Sequence, residues 1–93
     1  MTEPLAAQVK VTDEKLIADL VDRRGLIVPL SWYPRLLHGS QQKRQNWQLL
    51  GDGYVIEWVD LDEHIEIEGL LAGRHSSESP HSFERWLATR SAS

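Results

Sequence analysis

The chain has 93 residues, no cysteine and a formal charge of 10 − 14 = −4. That length suits one domain with a modest core, and the missing thiols exclude disulfide frameworks, CxxC redox pairs and thiolate zinc sites. The acidic balance argues against sequence-independent nucleic-acid binding, which relies on Lys and Arg neutralising phosphates.

The first residues, 1–7, read as a loose lead-in. They lack the basic and continuous apolar regions of a secretory signal. Gln8-Val9-Lys10-Val11-Thr12 alternates polar and apolar with period two, predicting a half-buried strand. Leu16–Asp22 fits a helical face or a strand. The β-branched residues and the Asp22-Arg23-Arg24-Gly25 turn favour a strand paired with Leu26–Leu30. That second segment is also the longest apolar run, far short of the ~18 residues that span a bilayer. No membrane contact and a cytoplasmic location are therefore expected.

Ser31 is a candidate N-cap, with Pro34 in the first turn and Trp32, Leu36 and Leu37 at helical spacing. Gly39 stops that helix, and Ser40 caps a second one over Gln41–Trp47. After the Gly51-Asp52-Gly53 turn, Tyr54–Trp58 predicts a strand with Tyr54, Ile56 and Trp58 on one face. An acidic turn, Asp60–Glu63, leads into an alternating His64–Glu68 strand with Ile65 and Ile67 inward. Gly69–Gly73 is a short apolar turn or helical piece, and Arg74–Pro80 a polar linker. Ser79 and Pro80 start a C-terminal amphipathic helix with a Phe83, Trp86, Leu87 stripe; Thr89–Ser93 should fray. The class is α+β: a small antiparallel sheet of five to six strands, two short central helices and a C-terminal helix.

The segments Val28–Leu37, Asn46–Trp58 and Asp60–Leu71 together resemble the bacterial small-protein family DUF2442. The resemblance implies a lead-in over 1–7, a compact α+β domain over 8–73, and a linker and helix over 74–93. It implies no assigned activity and no catalytic residues. Some relatives resemble partners of a neighbouring small protein in toxin–antitoxin-like gene pairs. Others carry an added helix-turn-helix domain, for which this chain leaves no room.

Asp60, Asp62, Glu63, Glu66 and Glu68 form the sharpest local cluster, with His64 among them. Alternating carboxylates can ligate Mg²⁺ or Ca²⁺, but the central Gly and closing Glu of an EF-hand loop are missing. A solvated strand face is the simpler reading. His38, His64, His75 and His81 fall in separate segments and form no helical zinc pair. No activated serine, phosphate loop or cofactor motif is visible, so no enzyme and no cofactor are expected. Arg35, His38, Lys43 and Arg44 give the helix pair a positive balance, read as a solvated face. Trp32, Trp47, Ile56, Trp58, Ile65 and Ile67 are the expected core. Trp86 packs on its own domain or docks in a partner's groove, and self-packing is favoured because a small core gains from each large side chain.

The expected function is a non-enzymatic module that binds a basic, toxin-like protein through Asp60, Asp62, Glu63, Glu66, Glu68, Phe83 and Trp86. Two alternatives stand beside it. One is a DNA-binding regulator acting as an oligomer or with a partner. The other is a metal-assisted enzyme using Asp60–Glu68.

Overall fold

The structure, a computed structural model, describes residues 4–76 and 78–91. The expected lead-in residues 1–3 and fraying end 92–93 lie outside them. Among the described residues six strands occur, but they divide between two three-stranded antiparallel sheets rather than forming one.

The first sheet is a meander of β1 (Ala6–Val11), β2 (Lys15–Leu20) and β3 (Gly25–Pro29) in that order. The ambiguous segment is thus a strand: Leu16, Ala18 and Leu20 are buried at period two. In the first turn the Thr12 Oγ1 accepts from the Glu14 and Lys15 amides at 3.2 and 2.9 Å. In the second, Arg23 has φ 74° and the Arg24 amide donates to Asp22 Oδ1 at 3.1 Å. That bond holds the Asp22 carboxyl below its usual range. The strand begins at Ala6, inside the expected lead-in. A bulge between Ala6 and Gln8 interrupts the alternation that would have announced it.

The chain leaves β3 through a 3-10 turn, Leu30–Trp32, into α1 (Pro34–His38). Ser31 lies within that turn and caps nothing; Tyr33 takes the N-cap position without a side-chain bond. The residue before a proline is pushed out of the α region, so the helix cannot start earlier. Gly39 ends α1, and a Cβ there would lie 2.8 Å from Leu61 Cδ1, so a larger residue would have to push the buried Leu61 side chain aside. In α2 (Gln41–Gln45) Ser40 does cap, accepting from the Lys43 amide at 3.2 Å. The helix stops at Gln45, not Trp47, which frees Gln48–Leu50 to form β4.

The second sheet, in order β4-β5-β6, adds β5 (Val55–Trp58) and β6 (Glu63–Glu66). Between them lie a 3-10 turn, Val59–Leu61, and Asp62 in the left-handed region at φ 49°. The strand expected to reach Glu68 ends at Glu66. Ile67, still fully buried, opens α3 (Ile67–Leu71), and its amide donates to Tyr54 O at 3.0 Å. Finally α4 (Pro80–Ser91) starts as expected: Ser79 Oγ accepts from the Ser82 amide at 3.1 Å. It runs on through Thr89 to Ser91.

The core joins Leu16 and Leu30 to Leu36, Ile56, Trp58, Leu61 and Ile67, all fully buried, with Ile65 at their side. Trp58 is its largest member, and its indole N–H donates to Arg44 O at 2.9 Å. Trp32 and Trp47, expected inside, are only half-buried at the margin. Trp86 packs into the same core from α4, with Phe83 and Leu87 beside it. Arg44, expected on a solvated face, is buried. Its guanidinium donates to Leu36 O at 2.8 Å, Leu37 O at 2.7 Å and Asp13 Oδ1 at 3.0 Å. Those acceptors include two carbonyls near the C-terminal end of α1, where a cation is favoured.

Candidate functional site

The acidic run does not stay together. The Asp60 side chain turns to the end of α2, its Oδ2 accepting from Asn46 Nδ2 at 2.8 Å, while its carbonyl accepts from Arg90 of α4. Asp62 Oδ2 accepts from the Trp86 indole at 3.1 Å and lies 3.5 Å from the Arg90 guanidinium. Glu68 sits on α3 and accepts from the Tyr54 hydroxyl at 3.1 Å. Glu66 is exposed on β6. Among the described residues, no group of three His, Asp or Glu side chains is placed to hold a metal ion.

Phe83 and Trp86 face inward. Two guanidiniums lie over the Trp86 ring, with Arg90 Cζ 4.4 Å and Arg35 Cζ 5.0 Å from its centroid. Arg35 forks onto Glu78, with Nε–Oε1 2.5 Å and Nη2–Oε2 3.1 Å, and also donates to Asp62 O at 2.9 Å. The Arg35 bonds hold the Glu78 carboxyl below its usual range. The expected linker is accordingly tied down: Ser76 N donates to Trp32 O at 3.2 Å and the Tyr33 hydroxyl to Arg74 O at 3.1 Å. His75 stacks on Trp32 with centroids 4.2 Å apart.

This pinned segment stands across a cleft from β6. The cleft has a volume of about 350 Å³ and is lined by Tyr33, Glu63, His64, Glu66, Arg74 and His75 among others. Glu63 stands at its end and also borders a neighbouring hollow beside Arg35 and Glu78. Burial pushes the Glu63 carboxyl up, more than its bond from the His64 amide pulls it down. Burial, helped by the Glu63 charge, pushes the Tyr33 phenol up to about 12.

The solvent side of the second sheet is built by register. One cross-strand row is Gln48–Glu57–His64, the other Leu50–Val55–Glu66. Gln48 Nε2 donates to Glu57 Oε1 at 2.5 Å. Leu50 is 40 % exposed. Of these residues the acidic run supplied only Glu66. Glu57 was legible from alternation, since it separates the buried Ile56 and Trp58. The cleft wall at Arg74 and His75 had no sequence signal, because its place depends on the Tyr33 and Trp32 contacts.

Comparison with known proteins adds the following. The family model DUF2442, described as a protein of unknown function, matches residues 6–76. A protein of unknown function from Rhodospirillum rubrum ATCC 11170 is similar in structure, with a TM-score of 0.72 and 26% identity, over 83% of this chain and 95% of that one. An uncharacterized protein from Chromobacterium violaceum, solved by NMR, shares the fold with a TM-score of 0.67 and 17% identity, over 92% of this chain and 75% of that one. No curated protein matches the chain.

Proposed function

This chain belongs to the DUF2442 family of proteins of unknown function, and we propose that it is a non-enzymatic protein-binding module for a basic partner, in the manner of an antitoxin-like companion of a neighbouring small protein. One observation carries the reading. The solvent face of β4-β5-β6 presents Glu57 and Glu66 beside Leu50 and Val55, and its two cross-strand rows hold no Lys or Arg. The apolar pair offers area to bury, and the carboxylates steer a basic surface toward it. Asp60 and Asp62 contribute less, because Arg90 and Asn46 already engage them.

The test is co-expression with the product of the adjoining gene, followed by light scattering on the purified material. A stoichiometric complex is expected. The double variant Glu57→Lys, Glu66→Lys should weaken it at least about tenfold, since opposed like charges cost several kcal/mol. High salt should slow its association. The reading fails if no complex forms, or if the double variant binds as the parent does.

A further inference from the structure

We propose that the outer edge of β6 receives an extended segment of a basic protein as an added strand, which displaces the Glu63 carboxylate from the His64 amide. The inference rests on the reading of the chain as a protein-binding module and names the mode by which it binds.

β6 is the last strand of its sheet, so one of its sides pairs with β5 and the other does not. Antiparallel ladders alternate, and the Ile67 amide bonds inward to Tyr54 O. Glu63 and Ile65 share that parity. His64 and Glu66 therefore turn their N–H and C=O groups to the outer edge. The His64 amide shows this directly: it donates to Glu63 Oε1, at 3.0 Å, instead of to β5. A side chain of the strand itself thus stands where the carbonyl of a neighbouring strand would stand.

Room for such a neighbour lies alongside. The cleft is lined by Glu63, His64, Ile65 and Glu66 of β6 together with Arg74, His75 and Ser76. A paired strand needs ~4.8 Å between backbones. The Tyr33 and Trp32 bonds hold Arg74 and Ser76 in place beside the cleft. Moving Glu63 out of the cleft also returns a carboxylate from a half-buried place to water, which offsets part of the lost bond.

Charge selects the occupant. Glu63 and Glu66 line the cleft, Glu57 lies across from His64, and among the described lining residues Arg74 is the one Arg or Lys. Arg35, in the next hollow, is matched by Glu78. Alternate side chains of an added strand fall on the solvent face beside Glu66 and His64, with Glu57 one strand further in, where Lys or Arg is favoured.

The test uses a blocked Lys-Val-Lys-Val-Lys-Val-Lys peptide titrated into ¹⁵N-labelled full-length protein. The His64 and Glu66 amides should shift and gain protection from hydrogen exchange. Peptides N-methylated at alternate residues come in two parities; one parity should bind at least about tenfold more weakly, since it loses hydrogen bonds worth about 1 kcal/mol each. Glu63→Ala, which removes the competitor, should bind severalfold more tightly. Equal binding of both methylated parities, or shifts confined to the solvent face, overturns the strand-addition mode and leaves the basic-partner reading standing. No peptide binding at all also overturns it, whereas the complex with the adjoining gene product tests the partner reading separately. The methylated peptides act on the unaltered protein, so a folding defect in the Glu63 variant does not blunt the test.

Discussion

Replacing Arg44 by Ala should lower stability by about 3 kcal/mol. The guanidinium is buried and reaches two backbone carbonyls, Leu36 O at 2.8 Å and Leu37 O at 2.7 Å. A bond to a charged donor contributes about 1.5–3 kcal/mol, so the pair sets the figure at the low end of that range. The ion pair with Asp13 adds little, because the Asp13 side chain is 87% exposed and screened. Asp13→Asn should therefore cost less than about 0.5 kcal/mol. Arg44→Lys keeps the charge but cannot fork onto both carbonyls, and should fall between the two. Urea unfolding followed by tryptophan fluorescence measures all three, and Trp58, bonded to Arg44 O, reports the site itself. For a domain of this size the Ala variant should melt roughly 12–24 °C lower. The account is refuted if Asp13→Asn costs as much as Arg44→Ala, or if high salt erases the Arg44 effect.

Gly53 has φ 107°, and a Cβ there would meet Ala6 O at 2.3 Å, so Gly53→Ala should cost more than about 2 kcal/mol by thermal melting. Gly69, on α3 with nothing within 4 Å of a Cβ, should instead gain about 0.5–1 kcal/mol as Ala. Glu63 has a raised folded pKa, so its ionised form opposes folding above that value and the penalty vanishes below the ordinary 4.5. Glu63→Gln should thus be more stable than the parent at neutral pH, with the gain gone by acidic pH. Glu78 has the opposite sign. Its lowered pKa stabilises the fold above 4.5, and Glu78→Gln should lose stability at neutral pH but match the parent once pH falls below the folded pKa. Parallel urea titrations across pH check both, and equal pH profiles for the two variants would contradict the assignment.

The α+β class, the hairpin at Asp22–Gly25 and the inward Ile56, Trp58 and Ile65 were legible because period-two burial is a local signal. The stripe of Phe83, Trp86 and Leu87 was legible, since it needs only one helix, but the partner contact expected of Phe83 and Trp86 was not: both are turned into the chain's own core. The division into two sheets was not, because register between distant strands leaves no mark on either strand alone. Arg44 was misread for a related reason. Its role depends on the α1 carbonyls, and a basic residue on a short polar helix looks solvated until those carbonyls are in place. The acidic run showed the opposite error: five carboxylates close in sequence were dispersed by the left-handed turn at Asp62 and by the switch from β6 to α3.

Splitting six strands between two sheets doubles the number of exposed ladder ends, from two to four. Each such end is a template for stacking one molecule on another, and so a hazard for solubility. The chain meets the hazard piecemeal. On β1 the amides of Gln41 and Gln45 both donate to Val11 O at 2.9 Å, filling an acceptor a foreign strand would use. On β3 it is Pro29, which has no N–H to offer. β4 is only three residues long. β6 carries its own removable stopper in Glu63, a side chain that can move aside without unfolding anything. On the proposed strand addition, colloidal stability and recognition meet in a single carboxylate, and conditions that neutralise it should shorten the shelf life of a concentrated solution before they disturb the fold.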